Sequence, residues 1–441
     1  MVIVSFRFFL GGFYKARVMV KKQNIKQQSE SGVVLQVNLV GAVVFSLALV
    51  FAAGIVTLAL VKNNGKPEKV AGRMVNPESA PEPAQVPPWG ELIVRDIKIQ
   101  PPEEYLAFEL QHITPPEWIF DGLSVNQVRQ VMLSSGLTPQ QVDGALMASK
   151  VHVSRENTTV MPDNELVMAL SPEVRAKLYH ELAHGPENQH MRFPFTFSGN
   201  AFEETFATNK VSASTTALVK KLMYSRGQLQ CFSDYELVLL QIGDKDEQMR
   251  LLRAISSESA VMAGVRIRPD TDIDKLLGYW AWPGGMRTKD VQPLLESMKN
   301  SPDGRIGLVY LLPQFARQRL YTFPMPSRPG DPAMDCHWST MNFFNETPDD
   351  RFTDPGYTVK YIEANYYQIA KATKYGDIIL FMDGDSNNAI HSAVYLADDI
   401  VFTKNGNNMA QPWMLMHLKD LMMKYESDGP GRMLIYRNRN W

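Results

Sequence analysis

Residues 376–406 read GDIILFMDGDSNNAIHSAVYLADDIVFTKNG, and this stretch decides the fold of the C-terminal part of the chain. The apolar runs within 378–381 and 391–396 are long enough for buried strands, and a third such run begins at Ile400. Short polar turns separate the three runs, and strands joined by short connections pair in antiparallel fashion. The stretch therefore predicts an antiparallel meander, with His391 at the start of its second strand.

The flanking sequence adds helices to this meander. A helix is predicted over residues 413–424, and a last strand over Arg432 to Tyr436. Upstream, Asp335 precedes CHWSTMNFF and is typical of an N-cap, which puts Cys336 in the first turn of a helix. Together these patterns predict a small α+β domain over residues 331–441.

Cys336 is the candidate nucleophile of this domain. Free amide N–H groups at a helix start stabilise a thiolate and lower the pKa of a cysteine. A nucleophilic cysteine also needs a base, usually a histidine that is close in space. His337 is a poor candidate because neighbouring residues on a helix point about 100° apart.

The order of these motifs resembles the NlpC-type papain-like cysteine peptidases over about a quarter of the chain. Asp335-Cys336 is similar to the family's Asp-Cys pair, Gly376-Asp377 to its strand-opening turn, and His391–Leu396 to its histidine strand. The serine that follows the cysteine in the family is His337 in this chain.

The resemblance implies a papain-like fold and an enzyme that hydrolyses amide bonds in cell-wall peptides without metal or cofactor. Cys336 would be the nucleophile and His391 the base. The family's third polar residue lies on the next strand, where Thr403 is nearest by count. Asn405 is chemically better suited, because an amide can orient an imidazole, and we name it as the third site residue.

Residues 39–61, LVGAVVFSLALVFAAGIVTLALV, contain no charged side chain. A helix of this length spans about 35 Å, enough for a hydrocarbon core of about 30 Å. A single transmembrane helix, with the lipid bilayer as its partner, is the prediction. A cleavable signal peptide and a buried core helix are the alternatives.

The basic residues around this segment do not decide its orientation. The tail 1–38 contains 6 basic residues, and 4 follow the segment. Within about 20 residues of its ends, there are 3 basic residues before the segment and 4 after it. Met19 is a second possible translation start.

Residues 62–90 contain six prolines and predict a semi-rigid linker. We expect a single-pass protein of the cell membrane whose C-terminal part is extracytoplasmic (periplasmic), near peptidoglycan peptides.

Residues 91–330 predict a mainly helical region of unknown role. Ser124 and Gly136 bracket one helix, and Thr138-Pro139 and Ser171-Pro172 open two more. Further helices are predicted at 214–226, 246–257, 271–280 and 290–299. Residues 151–160 and 261–269 have the alternation of strands.

The same region contains His180-Glu181-Leu182-Ala183-His184, which fits the H-E-x-x-H pattern of zinc peptidases. His190, Glu203 and Glu204 are candidate third ligands. Against zinc, Val174, Leu178 and Leu182 form the apolar stripe of this helix, so the two histidines lie on its solvated face. Gly185-Pro186 then ends the helix. A zinc metallopeptidase stays a second alternative.

Composition excludes several classes of protein. The formal net charge is −2, with no basic field to attract nucleic acid. Two cysteines, Cys231 and Cys336, cannot make a disulfide framework or a four-thiolate zinc site. Cys231 is flanked by apolar residues and is predicted in the core. The first alternative to a hydrolase is a non-catalytic envelope protein with a binding or structural role. The sequence does not indicate the oligomeric state.

Overall fold

The computed structural model describes residues 86–185, 187–281, 287–324, 334–383, 388–406, 410–425 and 432–441. The predicted tail, the predicted transmembrane helix 39–61 and the linker up to residue 85 lie outside the described residues. Within these ranges, no helix has the length and apolar character that crossing a membrane requires.

The helices, in chain order, are α1 Glu103–Leu110, α2 Val125–Ser135, α3 Pro139–Ala145, α4 Asn164–Ala169, α5 Pro172–Ala183, α6 Gln189–Arg192, α7 Ala201–Thr208, α8 Ala213–Leu222, α9 Tyr235–Gln241, α10 Lys245–Ile255, α11 Ile273–Trp280, α12 Thr288–Lys299, α13 Leu308–Leu311, α14 Gln314–Arg319, α15 Cys336–Met341, α16 Pro355–Asn365 and α17 Leu418–Tyr425. A 3-10 helix covers Asp350–Thr353.

The strands are β1 Glu91–Ile99, β2 Trp118–Asp121, β3 Val151–Val153, β4 Asn157–Val160, β5 Phe195–Phe197, β6 Tyr224–Arg226, β7 Leu229–Phe232, β8 Glu258–Arg266, β9 Arg305–Gly307, β10 Tyr366–Ile369, β11 Ile378–Met382, β12 Ala389–Ala397, β13 Ile400–Lys404, β14 Trp413–His417 and β15 Arg432–Asn438. All paired strands of these sheets are antiparallel. The predicted α+β class is confirmed.

The largest sheet carries the predicted meander. Its strand order is β10-β15-β11-β12-β13-β14, so β11, β12 and β13 are neighbours both in sequence and in the sheet. Ile379 pairs with Ala393, and Val394 with Phe402. The three strands are almost entirely buried, because helices and a second sheet cover their faces.

The second sheet has the order β1-β8-β9 and joins the largest sheet near β14. β1 pairs with β8 along its whole length, from Glu91 opposite Arg266 to Ile99 opposite Glu258. Residues 103–256 therefore lie in the chain between two strands that are neighbours in space.

Two large hydrophobic cores occupy the described chain. One is built by residues between Leu106 and Ile255, mostly from helices. The other runs from Val261 to Leu415, and in it Phe315 lies 5.3 Å from Trp338 between ring centroids. This second core crosses residue 331, where the sequence indicated that the C-terminal domain begins. The residues that support the sheet thus start well upstream of that boundary.

The capping predictions are confirmed. Ser124 and Gln127 form a capping box at the start of α2, and Gly136 ends that helix with φ 105°. Thr138 and Ser171 accept hydrogen bonds from the third residues of α3 and α5. These ends were predictable because capping depends on a few neighbouring residues.

Two helix predictions are wrong in part. The helix predicted over 214–226 ends at Leu222, and residues 224–226 form β6. The helix predicted over 413–424 begins at Leu418, because residues 413–417 pair with β13 as β14. In both cases a short apolar run is compatible with either structure, and the neighbouring strand decides.

Candidate active site

Cys336 is the first residue of α15. The carboxylate of Asp335 accepts a hydrogen bond from Trp338 N at 2.8 Å, which is the predicted N-cap. Below it, Trp413 Nε1 donates to Ser339 Oγ at 2.8 Å and fixes the helix against β14. The thiol is held almost out of solvent, with 4% of Cys336 exposed.

His391 is the third residue of β12 and is fully buried. It pairs with Phe381 on β11, and the register shifts by a bulge directly after that pair. The next residue, Ser392, donates to Thr340 Oγ1 at 3.0 Å and ties the strand to α15. The strand and the helix therefore present the imidazole and the thiol to one another.

The His391 ring is held from two sides. Its Nε2 is 2.8 Å from Oγ1 of Thr403, a buried residue of β13. Its face stacks on Tyr425, with ring centroids 4.0 Å apart. Its Nδ1 is buried and has no hydrogen-bond partner among the described residues. The Cys336 thiol interacts electrostatically with this ring, which acts to raise the pKa of His391 and to lower the pKa of Cys336.

The Cys336 thiol is activated by its neighbours. Burial by itself would raise its pKa, because a thiolate is costly away from water. Electrostatic interactions with His337 and then His391 outweigh burial, so the pKa of Cys336 lies well below the ordinary value of a thiol. A lowered thiol pKa is the property that a cysteine nucleophile needs.

The two imidazoles differ in charge. Burial lowers the pKa of His391 despite the nearby Cys336, which favours a neutral ring. For His337, burial is opposed by Cys336, by Asp335 and by the backbone of Ala389, and its pKa rises to about 9.

The influence of His337 on the pKa of Cys336 was not predicted. The sequence argument treated adjacent helical side chains as diverging, but the first residue of a helix has no preceding turn to constrain it. The signal that could have revealed His337 was an imidazole directly beside a candidate nucleophile.

Asn405 lies two residues beyond Thr403 and is buried. Its Nδ2 donates to Met416 Sδ at 3.5 Å, and its Oδ1 has no partner among the described residues. The position that orients His391 is occupied by Thr403. The structure therefore brings together Cys336 and His391, while the Asn405 amide is directed to another neighbour.

Lys404 is a fully buried cation near the thiol. Its Nζ donates to the Gly406 carbonyl at 2.8 Å and lies 5.9 Å from the ring centroid of Trp413. Burial lowers its pKa to about 7, although Cys336 and Asp335 both favour its charged form.

The Gly376-Asp377 turn positions β11 as predicted. Gly376 has φ 96°, and a Cβ there would lie 2.7 Å from the rings of Phe344 and Trp441. Asp377 is fully buried and pairs with Arg437 of β15 at 2.7 Å. It also accepts hydrogen bonds from the backbone N–H groups of Thr373 and Lys374. The turn is thus a structural device that holds the sheet together.

Among the described residues, no third metal ligand is arranged beside the H-E-x-x-H segment. The rings of His180 and His184 are 5.2 Å apart on the exposed side of α5. Glu203 pairs with Lys220, and His190 packs on Tyr235. Within the part of the chain that the structure describes, no three His, Cys, Asp or Glu side chains are arranged to hold a metal ion. His180 instead lines a pocket of about 460 Å³ in the helical region.

The second cysteine lies far from this chemistry. Cys231 belongs to β7 and is completely buried in the helical core, as predicted.

Comparisons with protein-family models, with curated proteins and with solved structures return no match. In this site, a thiol with a lowered pKa can act as a nucleophile, and the neutral imidazole of His391 can act as its base.

Proposed function

We propose that this chain is a cysteine hydrolase that cleaves amide bonds. The observation that supports this most is the row Cys336, His391 and Thr403, in which Nε2 of the central imidazole is 2.8 Å from the threonine hydroxyl. Nucleophile, base and orienting group are the three parts that such a reaction needs.

In the proposed reaction, Sγ of Cys336 attacks the amide carbonyl carbon. A C–S bond forms and the carbonyl electron pair moves to oxygen, where the Cys336 N–H can stabilise it, since the first N–H of a helix has no intrahelical partner. The thiol proton passes to His391 as the sulfur attacks, and when the C–N bond breaks the leaving nitrogen takes that proton from His391. Water next attacks the thioester, His391 takes a proton from that water, and the C–S bond breaks.

Peptidoglycan peptides are the proposed substrate class. This rests on the resemblance of Asp335-Cys336, Gly376-Asp377 and His391–Leu396 to the NlpC-type peptidases. It is also consistent with the proposed membrane helix over 39–61, which would hold a hydrolase on the periplasmic side of the bilayer. No cofactor is part of the proposed reaction.

The burial of the site favours a second candidate, a non-catalytic envelope protein. Cys336 is only 4% exposed and His391 is fully buried. A binding or structural module could retain these residues as a hydrogen-bonded part of its core. The two candidates differ in whether the thiol reacts.

The test is hydrolysis of purified cell-wall peptides by the full-length chain, followed by mass spectrometry. Cleavage by the wild type that Cys336→Ala abolishes, and that the matched control Cys231→Ala retains, supports the hydrolase. Equal cleavage by Cys336→Ala would contradict it, and so would absence of cleavage from a folded wild type over a broad panel of wall peptides.

A further inference from the structure

We propose that α17 is a lid over the candidate active site, and that the ion pair between Lys424 and Glu258 is the latch that holds its C-terminal end closed. The proposal concerns access to the site already described. It deepens the proposed function and rests on it for the purpose of the lid in catalysis. It also gives a task to the helical region, whose role the sequence does not indicate.

The two candidate catalytic residues are enclosed. His391 is fully buried, and only 4% of Cys336 is exposed. In the proposed reaction, an amide carbonyl has to reach the sulfur, and a water molecule has to reach the imidazole. Both approaches are blocked while the two side chains are held out of solvent. A part of the structure that covers them therefore has to move before the reaction begins.

Tyr425 is the cover that lies directly on the imidazole. Its ring centroid is 4.0 Å from that of His391, with the planes 10° from parallel. The centroid of Phe381 lies 5.7 Å from the same imidazole, but Phe381 is fixed in β11, where it pairs with His391 in the ladder. Tyr425 is the last residue of α17 and belongs to no sheet. Of the two rings, Tyr425 is thus the one that can leave.

The first turn of α17 is anchored to the large sheet. The backbone N–H of Leu418 donates to the carbonyl of Asp399 at 2.6 Å, and His417 Nδ1 lies 2.8 Å from a carboxylate oxygen of the same aspartate. Asp399 lies in the tight turn between β12 and β13. Of the eight residues of α17, Leu421 is the one that is fully buried. A short helix that is fixed at its start and buries little at its end can pivot about its first turn.

The C-terminal end of α17 is fastened by side chains. Lys424 Nζ lies 3.2 Å from an oxygen of Glu258, and the two side chains are 24% and 16% exposed. Gln411 Nε2 donates to the other oxygen of Glu258 at 2.6 Å and fixes the carboxylate. An ion pair that solvent still reaches contributes only modestly to stability. The end that carries Tyr425 is therefore held by a contact that opens at little cost.

This latch connects the lid to the helical region. Glu258 is the first residue of β8, which follows α10 closely in the chain. Met423 of α17 packs against the helical core. The lid thus has its first turn on the large sheet and its far end on the helical region. The helical region therefore determines how tightly the site is closed.

Tyr425 then has two tasks in the proposed reaction. In the resting protein it closes the site. When the end of α17 swings away, the substrate enters, and the return of the helix restores the stack that holds the imidazole of His391 during the reaction.

The direct test is the rate at which diethyl pyrocarbonate modifies His391 in the full-length chain, located by mass spectrometry. Nδ1 of this imidazole has no hydrogen-bond partner among the described residues, so access limits its reaction. Lys424→Gln should raise the rate about two- to fivefold relative to the exposed His152, the range that an ion pair of this exposure contributes. Lys419→Gln, at an exposed position of the same helix, is the matched control and should leave the rate unchanged. A wild-type rate in Lys424→Gln would overturn the proposal.

Hydrogen exchange followed by mass spectrometry separates a moving lid from a loosened fold. In Lys424→Gln, the amides of α17 should exchange faster, while those of β12 keep the wild-type rate. The double variant Glu258→Lys with Lys424→Glu restores an ion pair and should return both exchange and His391 modification towards the wild type. Equal acceleration in β12, or a double variant that is modified as fast as Lys424→Gln, would contradict the proposal.

Both measurements are independent of hydrolysis. Modification of His391 that responds to the latch, in a protein that cleaves no wall peptide, would refute the proposed function and leave the lid standing. Cleavage that depends on Cys336, together with modification that ignores the latch, would do the reverse.

Discussion

The rings of His391 and Tyr425 lie face to face, with centroids 4.0 Å apart and planes 10° from parallel. Tyr425 is the last residue of α17, so this contact couples the position of that helix to the orientation of the imidazole. An aromatic pair contributes about 0.5–1.5 kcal/mol beyond its buried area. The stack therefore serves both to stabilise the domain and to hold the candidate base.

Replacement of Tyr425 tests this coupling. Tyr425→Ala should lower the free energy of unfolding by about 1 kcal/mol or more and reduce turnover, because the ring of His391 loses its support. Tyr425→Phe keeps the stack and should behave like the wild type. Tyr310→Ala, at a residue that is 55% exposed, is the control in urea unfolding and peptide cleavage. Wild-type turnover in Tyr425→Ala would show that the stack does not position the base.

The Thr403 hydroxyl should matter for rate more than for stability. Thr403→Val removes the partner of His391 Nε2 at nearly constant volume, and a hydrogen bond of about 0.5–1.5 kcal/mol corresponds to a two- to tenfold loss. Thr403→Ser should retain the rate, and Asn405→Ala should leave it within about twofold. Steady-state cleavage measures all three. If Asn405→Ala lowered kcat more than Thr403→Val, the orienting role would belong to the amide.

The Asp377–Arg437 pair should be a major determinant of stability. Asp377 is fully buried, so Asp377→Ala leaves Arg437 without its partner and two backbone N–H groups without their acceptor. Breaking a buried pair costs about 3–5 kcal/mol. Asp303→Ala, in a pair that is 57% and 79% exposed, is the control and should cost less than about 1 kcal/mol. Equal losses of unfolding free energy in the two variants would contradict this account.

Lys404 gives the domain a specific pH dependence. Burial lowers its pKa from 10.5 to about 7, so between these values the unfolded chain binds more protons than the folded one. Its contribution to the free energy of unfolding therefore rises with pH across this window. Lys404→Met should stabilise the protein most below about pH 7, and the gain should shrink towards pH 10. Urea unfolding at several pH values measures it, and a gain independent of pH would contradict the lowered pKa.

The sequence was a good guide to local structure and to part of the site. Helix ends at Ser124 and Gly136 could be predicted because caps are encoded by adjacent residues. The strand over residues 413–417 could not be predicted, because their apolar run fits a helix as well as a strand. Pairing with β13 decides that they form a strand. Tertiary contacts of this kind are absent from local patterns.

Part of the candidate site could likewise be predicted from the sequence, and part of it could not. Cys336 and His391 were found by motif order, and the structure brings them together. The choice between Thr403 and Asn405 depended on which side chain of the third strand turns towards the imidazole, which is a matter of register. His337 was set aside on an angle between helix positions, although two adjacent side chains at a helix start can reach the same neighbours.

The most direct test of the account is the rate of Cys336 alkylation as a function of pH, followed by mass spectrometry in the wild-type chain, with Cys231 as the internal comparison. The account predicts that Cys336 reacts with an apparent pKa well below the ordinary thiol value of about 8.5, while Cys231, buried in the helical core, stays unreactive until the protein unfolds. A Cys336 thiol that reacts only above about pH 8.5, or that is as inert as Cys231, would contradict the claim that this residue is an activated nucleophile.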